Sequence, residues 1–216
     1  MANKKSYAVI GLGRYGKAVA KELLQNGAEV LAIDADPEVA NAAARVIPHC
    51  KCADVTKPDT IRQLGIADMD AVIIAIAGNL EASVMATMLC KEAGVKTVIV
   101  KCANSLHQRM LLKIGADQVT FPEHESGVRL AKNLISAGFV DIAELSDEIS
   151  IVELEVKDEW NGKTLIELGL RRKYGINIVG IRKGEKLMIN VDPEMPLRKE
   201  MTLVVIASKQ SLKKLA

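Results

Sequence analysis

Residues 6–16 read Ser6-Tyr7-Ala8-Val9-Ile10-Gly11-Leu12-Gly13-Arg14-Tyr15-Gly16, and a second apolar segment, Ala28–Ile33, ends at Asp34. The first five residues predict a short buried strand. The glycines that follow have the G-x-G-x-x-G spacing that opens a helix in dinucleotide-binding folds. Because strand, glycine turn, helix and acidic residue occur in the required order, we expect a site for a ligand that contains adenosine. The alternative is a glycine turn that binds nothing.

Each residue of this segment has a separate physical role. Gly11 permits the tight turn, Gly13 lets the backbone approach a pyrophosphate, and Gly16 lets the helix pack close to the strand. The phosphates would meet the unpaired N–H groups at the start of the helix, near Arg14. Asp34 can accept hydrogen bonds from both ribose hydroxyls, and its charge would repel a 2′-phosphate. The sequence therefore favours NAD(H) or an adenine mononucleotide over NADP.

The composition limits the class of protein. Of the 216 residues, 49% are hydrophobic but only 3% are aromatic, which predicts an aliphatic core of the kind that parallel strands build. The 29 basic and 27 acidic residues are mixed along the chain, so no nucleic-acid partner is expected. No apolar run has the length of a membrane span, and no signal peptide is visible. We expect a cytoplasmic protein that reaches a membrane only through a partner, with no direct insertion.

The order of predicted elements indicates two domains. Strands and helices alternate through the first part of the chain, which predicts an α/β fold with a Rossmann-type doubly wound parallel sheet. The second part has antiparallel-type strands and one short helix, which predicts a small α+β domain. We place the domains at 1–137 and 138–216. The predicted strands are 6–10, 28–33, 48–53, 70–76, 97–101, 118–121, 150–156, 177–182, 186–190 and 203–207, and the predicted helices are 37–45, 57–64 with Thr56 as its cap, 79–93, 105–114, 125–137 and 164–168.

Catalytic groups are hard to find in this sequence. The histidines are His49, His107 and His124, all in the predicted first domain, and no Tyr-x-x-x-Lys pair occurs. Cys102 with His107 is a weak basis for a nucleophile and base. The C-x-C segment after His49 lacks the second ligand pair of a zinc site. We therefore expect no enzyme; a small NAD-dependent oxidoreductase, whose second domain binds substrate, is the alternative.

Several further motifs carry a resemblance to a known family. They occur in the family's order and cover nearly the whole chain, and they are 11–16, 75–83, 113–117, Pro122-Glu123 and 171–178. With them the chain resembles RCK-domain (regulator of K⁺ conductance; TrkA-N and TrkA-C) proteins. It is most similar to the stand-alone cytosolic regulatory subunits of Ktr/Trk-type bacterial potassium uptake systems. The Lys-Ile-Gly-Ala-Asp and Arg-x-Lys-Tyr-Gly-Ile-Asn segments are the most specific of these matches.

The resemblance implies a homo-octameric ring, built from dimers, that docks on a membrane-embedded K⁺-translocating subunit at the inner face of the membrane. It implies that ATP activates, that ADP inactivates, and that NAD(H) can also bind. It also implies that helix 125–137 is a crossover shared within a dimer; an ordinary last helix of the sheet is the alternative. By motif position, the nucleotide site would contain Gly11, Gly13, Arg14, Tyr15 and Gly16 at the phosphates, Asp34 at the ribose, Asp54 near the adenine, and Asn79 and Lys101 at later strand ends.

Two charged residues receive sharper roles from the resemblance. The Arg14 guanidinium at a helix N-terminus can distinguish a γ-phosphate from its absence by bidentate contact, and a solvated first-turn arginine is the alternative. Glu123 matches an acid that faces the nucleotide phosphates of a neighbouring subunit. A carboxylate there needs a bridging cation such as Mg²⁺, Ca²⁺ or Na⁺. A solvated loop acid is the alternative for Glu123.

The second domain resembles a module that binds cyclic di-AMP at a dimer interface. Arg171 would contact phosphate and Asn177 the adenine edge. The matching positions are Leu170, Arg171, Asn177, Ile178 and Pro193. A dimer interface without a ligand, or a solvated basic turn at Arg171, is the alternative. Gly180 departs from the family pattern, which has a bulkier strand residue beside this pocket.

Overall fold

The computed structural model describes residues 4–135, 139–146 and 148–215. The chain divides into two compact units, Met1–Glu123 and His124–Ala216. The sequence instead predicts a boundary at residue 137, with the helix 125–137 in the first domain. Which domain this helix serves stays a prediction, and Ser136 and Ala137 lie outside the described residues.

The first unit is built on six strands, all parallel, in the order β3-β2-β1-β4-β5-β6. This order reverses direction between β1 and β4, and it confirms the predicted doubly wound sheet. The strands are β1 (Ser6–Ile10), β2 (Glu29–Asp34), β3 (His49–Cys52), β4 (Ala71–Ile74), β5 (Val98–Lys101) and β6 (Gln118–Thr120), and the helices are α1 (Arg14–Gln25), α2 (Pro37–Ala44), α3 (Pro58–Gln63), α4 (Leu80–Glu92) and α5 (Ser105–Lys113). Helix α6 (Pro122–Ile135) begins in the first unit and continues into the second.

Both faces of this sheet are buried, as the aliphatic composition predicts. Ala8 and Ile10 of β1 belong to one hydrophobic cluster, while Val9 between them belongs to the cluster on the opposite face. All three are at most 1% exposed. Because successive strand side chains point to opposite faces, a fully apolar strand can anchor helices on both sides. The glycine turn after β1 is therefore held by a strand that cannot shift without disturbing both layers.

Local capping explains where several helices begin. The Asn79 side chain caps α4 by accepting a hydrogen bond from the Ala82 N–H at 3.0 Å. The prediction that Thr56 caps α3 is wrong. Lys57 occupies the cap position without a side-chain bond, and the Thr56 hydroxyl donates to the Asp54 carboxylate at 2.7 Å instead. Helix α6 begins at Pro122, three residues before its predicted start, because proline fits the first turn of a helix.

The second unit is an antiparallel sheet in the order β10-β9-β11-β8-β7, with short helices beside it. It confirms the small α+β domain. Along β8, every second residue is buried, which is the predicted half-exposed pattern. The elements are β7 (Phe139–Glu144), β8 (Ile149–Glu155), α7 (Leu165–Leu168), α8 (Leu170–Tyr174), β9 (Asn177–Lys183), β10 (Lys186–Met188), β11 (Met201–Ser208) and α9 (Lys209–Lys213). β7 and α8 have no counterpart among the predicted elements.

Gly180 lies inside β9 and is not a lining residue of the hollow that the sequence associates with it. A Cβ atom at Gly180 would lie 3.0 Å from Leu187 Cδ1 and 3.2 Å from the Met188 carbonyl oxygen. Both neighbours belong to the paired segment β10. The absence of a side chain at Gly180 therefore serves the β9–β10 hairpin. The expectation that Gly180 affects the shape of the ligand pocket stays a prediction.

Candidate functional site

The turn after β1 is tight because two of its glycines touch other backbone atoms. Gly11 has φ +90°, a conformation that favours glycine, and its N–H donates to the Ile33 carbonyl at 2.8 Å. A Cβ atom on Gly11 would lie 3.1 Å from the Ala75 carbonyl carbon. A Cβ atom on Gly16 would lie 1.9 Å from the Gly11 carbonyl oxygen. Both positions therefore require glycine for packing within the chain.

Gly13 is different from the other two glycines of the motif. It is the N-cap residue of α1, with φ −66° and ψ −169°, which any residue adopts. A Cβ atom built on Gly13 meets nothing within 4 Å. Protein packing thus gives no reason for glycine at this position. Glycine is favoured over alanine at an N-cap, and close approach of a phosphate to the backbone at this helix N-terminus stays the predicted further reason.

Asp34 fixes the turn from the end of the neighbouring strand. One carboxylate oxygen accepts a hydrogen bond from the Leu12 N–H at 2.6 Å, and the other accepts from the Asp36 N–H at 2.9 Å. These bonds orient the carboxylate. Each carboxylate oxygen has two lone pairs, so one per oxygen stays available for a ribose hydroxyl. The position of Asp34 is therefore compatible with the predicted ribose contact.

A cavity of about 410 Å³ lies at the carboxyl ends of the first four strands, beside the reversal of strand order. Open α/β sheets bind their ligands at this edge. Among the nine residues predicted for the nucleotide, five line the cavity: Gly11, Gly13, Asp34, Asp54 and Asn79. Sequence reasoning did not assign the other lining residues to the nucleotide, although five of them lie in the family motif 75–83. They follow the same strand ends and could have been found from that position: Ile10, Ala35, Ala53, Val55, Thr56, Ala75, Ile76, Ala77, Gly78 and Ala82.

Asp54 is held in its ionised form at the far end of this cavity. Its carboxylate accepts hydrogen bonds from the Thr56 hydroxyl and the Thr56 N–H, and Lys57 Nζ lies 3.7 Å away. These interactions lower the pKa of the Asp54 carboxyl, with the Thr56 hydroxyl as the largest cause. Asp54 therefore presents a fixed negative charge, suited to donors such as ribose hydroxyls or an amino group.

Of the four other predicted residues, Gly16 serves packing. The remaining three, Arg14, Tyr15 and Lys101, belong to a separate polar cluster. Lys101 Nζ lies 2.5 Å from a Glu123 carboxylate oxygen and 5.6 Å from the centre of the Tyr15 ring. The Tyr15 hydroxyl lies 3.3 Å from the Thr120 hydroxyl oxygen. Arg14 is exposed at the first turn of α1, directly after the cavity residue Gly13. None of these residues lines the 410 Å³ cavity itself.

The charges of this cluster are arranged around Glu123. Its pKa is lowered, first by the hydrogen bond from Lys101, with a smaller contribution from the positive charge of Arg14. Within the part of the chain that the structure describes, no group of three or more His, Cys, Asp or Glu side chains could hold a metal ion. A single carboxylate already balanced by a lysine does not form a cation site within one chain. The expected cation at Glu123 therefore stays a prediction.

In the second unit, a hollow of about 480 Å³ contains four of the five residues predicted for the dinucleotide: Leu170, Arg171, Asn177 and Ile178. The fifth, Pro193, is not a lining residue, but its carbonyl accepts a hydrogen bond from the N–H of Ile166, which does line the hollow. Arg172 adds a second guanidinium to the lining. The hollow therefore combines positive charge with apolar walls.

In the described residues, no helix is long and apolar enough to cross a membrane.

Comparison with known proteins gives matches over both units. The family model described as the TrkA-N domain matches residues 7–122, and the TrkA-C domain matches residues 149–216. Ktr system potassium uptake protein C of Bacillus subtilis (strain 168) is 40% identical over 205 residues, which is 95% of this chain and 93% of that protein. Ktr system potassium uptake protein A of the same organism is 38% identical over 210 residues, 97% of this chain and 95% of that protein.

A solved structure gives the same architecture. The GsuK channel bound to NAD superposes with a TM-score of 0.71 at 18% sequence identity, over 98% of this chain. This chain spans 38% of the length of that channel chain. At this identity, the likeness establishes the fold.

Proposed function

This chain belongs to the TrkA-N and TrkA-C domain family that includes the Ktr potassium uptake proteins, and we propose that it is a nucleotide-sensing regulatory subunit of a potassium uptake system. The proposed subunit is cytoplasmic and acts at the inner face of the membrane through its partner. ATP and ADP are its ligands, and NAD(H) competes for the same site.

The observation that carries this proposal is the cavity at the ends of β1 to β4. Its volume of about 410 Å³ is within the size range of small-molecule sites. Gly13 at the start of α1 offers backbone N–H groups and the positive end of a helix to the phosphates. Asp34 and Asp54 offer carboxylates to the ribose and the base. This order of groups supports an adenine nucleotide that lies across the edge of the sheet.

Arg14 is the residue that we propose reads the phosphate chain. Its side chain is exposed and begins one residue after Gly13, so it can extend past the cavity without being part of its wall. A guanidinium can hold two phosphate oxygens at once, which a γ-phosphate offers in addition to those of ADP. Arg14 thus contributes more to ATP binding than to ADP binding.

Calorimetric titration of the wild type and Arg14→Ala with ATP and ADP tests this role. We expect Arg14→Ala to bind ADP with nearly wild-type affinity and to lose the preference for ATP. One charge-assisted bidentate contact corresponds to about 1.5–3 kcal/mol, or roughly 10-fold or more in affinity. Arg45→Ala, an exposed arginine at the end of α2, is the control for loss of a positive charge. An equal loss of ATP and ADP affinity in Arg14→Ala would contradict a γ-phosphate role.

Regulation would follow from a shift between ring conformations. We propose a homo-octamer built from dimers, in which helix 125–137 is shared within each dimer and the ring contacts a membrane-embedded K⁺-translocating subunit. A ligand moves such an equilibrium only through its different affinity for the two conformations. A coupling of about 1–3 kcal/mol per site, which is typical, becomes large when several subunits act together. Light scattering of the purified chain gives the oligomer, and an octamer is the expected mass.

We further propose that the hollow of the second unit binds cyclic di-AMP and that this binding inhibits potassium transport. The lining places the Arg171 and Arg172 guanidinium groups beside apolar walls, which suits a ligand with two phosphates and two stacked bases. Titration with cyclic di-AMP should give saturable binding to the wild type and at least tenfold weaker binding to Arg171→Ala. Arg198→Ala, an exposed arginine outside the hollow, should bind normally. The absence of any binding to the wild type would remove this part of the proposal.

The competing function, a small NAD-dependent oxidoreductase, makes the opposite prediction for NADH. We propose that NADH binds and is released unchanged. Incubation of the chain with NADH and a panel of small keto acids and aldehydes should leave the nicotinamide absorbance constant. Substrate-dependent loss of that absorbance would identify an enzyme instead.

A further inference from the structure

Two thiols lie on the edge strand of the parallel sheet. Cys50 and Cys52 are two residues apart on β3, and β3 pairs with β2 on one side only. Because side chains alternate along a strand, the two thiols point to the same face, while His49 and Lys51 point to the other. Cys50 is half-buried and Cys52 is exposed, so solvent reaches the pair.

Both sulfur atoms face the same short stretch of chain. Cys50 Sγ lies 3.3 Å from the Ala40 carbonyl oxygen, and Cys52 Sγ lies 3.6 Å from the Ala35 carbonyl oxygen. Ala35 lines the nucleotide cavity, and Ala40 is in α2, the helix that follows it. The thiols therefore act as weak donors to the segment that leads from the end of β2 into α2.

The spacing of the two thiols favours a bridging ion over a disulfide. Residues two apart in a strand are separated by about 6.6 Å, and their parallel side chains keep the Cβ atoms similarly far apart. A disulfide needs Cβ atoms about 3.5–4.5 Å apart, which this strand cannot provide without moving its backbone. Two metal–sulfur bonds of about 2.3 Å each allow the sulfur atoms to stand up to about 4.6 Å apart. Side-chain rotation alone can reach that separation.

We propose that Cys50 and Cys52 bind one thiophilic cation of the copper(I) class in two-coordinate geometry, and that its binding weakens nucleotide binding. Thiolates are the ligands that select copper(I). Structural zinc requires four ligands, and the described residues provide no group of three. On binding, each thiol releases its proton to solvent and forms one bond to the ion. The resulting copper dithiolate carries one net negative charge.

That charge lies next to the nucleotide cavity. Cys52 is the register partner of Asp34 on β2, and Ala53, the next residue along the chain, lines the cavity. The pKa of the Cys50 thiol is raised, first by burial and then by the negative charge of Asp34, while the Lys17 ammonium lowers it by a smaller amount. An added negative charge beside Asp34 repels an anionic nucleotide. The ion also takes both thiols away from the carbonyls of Ala35 and Ala40, which loosens one wall of the cavity.

Copper(I) binding is measured on the full chain under reducing, oxygen-free conditions, in competition with a coloured copper(I) chelator. We expect one equivalent per chain in the wild type, and at least a 100-fold weaker affinity in both Cys50→Ser and Cys52→Ser. A serine hydroxyl can still donate to the facing carbonyls, so the fold should be retained, which circular dichroism checks. Cys90→Ala is the matched control, because it removes a thiol that is buried in a hydrophobic cluster without Cys50 or Cys52. This variant should bind copper(I) normally. Retention of the tight equivalent in either serine variant, or its loss in Cys90→Ala, would overturn the site.

The coupling is tested by titrating ADP into the wild type with and without one equivalent of copper(I). We expect one added negative charge next to the cavity to weaken the affinity for ADP roughly threefold to tenfold. Cys52→Ser should show no such loss. An ADP affinity that copper(I) leaves unchanged would refute the coupling. A chain that binds copper(I) but no nucleotide would refute the proposed function and leave the dithiol site standing, so the two failures are distinguishable.

Discussion

At the scale of single residues, Gly16 and Gly13 of the glycine motif differ in what the fold requires of them. Gly16 has no room for a side chain because the Gly11 carbonyl oxygen occupies the position of its Cβ. A Cβ atom on Gly13 would meet nothing within 4 Å, and its backbone conformation is ordinary. The structure thus gives a packing reason for glycine at position 16, while the phosphate contact of Gly13 stays a prediction.

Gly16→Ala and Gly13→Ala should therefore separate stability from binding. We expect Gly16→Ala to lower the free energy of unfolding by about 1–3 kcal/mol, because the backbone must shift to admit the methyl group. Gly13→Ala should change the free energy of unfolding by less than about 0.5 kcal/mol, because alanine reduces the entropy of the unfolded chain but is a poorer N-cap residue than glycine. Its nucleotide affinity should nevertheless fall at least tenfold. Urea unfolding and calorimetry measure the two effects, and a stable Gly13→Ala that binds normally would contradict close phosphate approach.

Glu123 allows a test of the predicted cation. Its carboxylate pairs with Lys101, so a bridging cation would compete with a lysine for the same oxygens. If Glu123 faces phosphates, Mg²⁺ should tighten ATP binding to the wild type more than to Glu123→Gln, by several-fold. Glu125→Gln, two residues further along α6, is the charge-matched control. Identical ATP affinities with and without Mg²⁺ in all three proteins would rule out the cation and leave Lys101 as the balancing charge.

At the scale of helices and strands, the positions of apolar strands could be predicted from the sequence more reliably than the hydrogen-bond and ion-pair partners of polar side chains. All six parallel strands could be predicted, because a run such as 71–74 is buried on both faces and has no other stable environment. Thr56 could not be placed correctly, since capping α3 and bonding Asp54 are equally reasonable from sequence. Strand β7 was missed because its residues 139–144 mix polar and apolar types and depend on pairing with β8. Within the site, strand-end position predicted the cavity wall, while the Lys101–Glu123 pair required the three-dimensional fold.

The β9–β10 hairpin gives a prediction at this scale. Gly180 pairs with Val204 of β11 and Ile178 pairs with Val205, so the register skips Val179, which marks a bulge directly before Gly180. We expect Gly180→Val to lower the free energy of unfolding by about 1–3 kcal/mol, because its side chain meets the Met188 carbonyl. Val179→Thr, on an exposed neighbouring position, should change stability by less than about 0.5 kcal/mol. Because Gly180 is not part of the hollow, Gly180→Val should bind cyclic di-AMP as the wild type does. Weaker binding in this folded variant would place Gly180 at the ligand after all.

At the scale of the whole molecule, the chain has two separately packed units and a helix that leaves apolar surface exposed. Among the described residues, two hydrophobic clusters belong to the first unit and one to the second, with no residue in common. Helix α6 exposes Leu130 at 60% and Leu134 at 78%, one turn apart. Large apolar side chains in such a position are typical of a surface that another chain covers. This supports the proposed role of helix 125–137 within a dimer.

Leu134→Lys should therefore reduce the mass of the assembly. A lysine in the core of a dimer interface must be desolvated, so we expect dissociation at concentrations where the wild type stays assembled. Sedimentation over a range of concentrations measures this effect. Val46→Lys, which replaces another exposed apolar residue after α2, should sediment as the wild type. A Leu134→Lys protein of unchanged mass would place α6 outside the subunit interface.

The bonds that Asp34 makes to the Leu12 and Asp36 N–H groups also have a kinetic consequence. Both partners belong to the chain itself, so the phosphate turn is shaped by the protein and does not have to be assembled around a nucleotide. A preformed site makes the encounter step similar for closely related ligands, and differences in affinity then appear mainly as differences in residence time. ATP and ADP should accordingly associate at nearly equal rates. The time for which the subunit stays in the conformation set by a nucleotide would then be determined by how slowly that nucleotide dissociates.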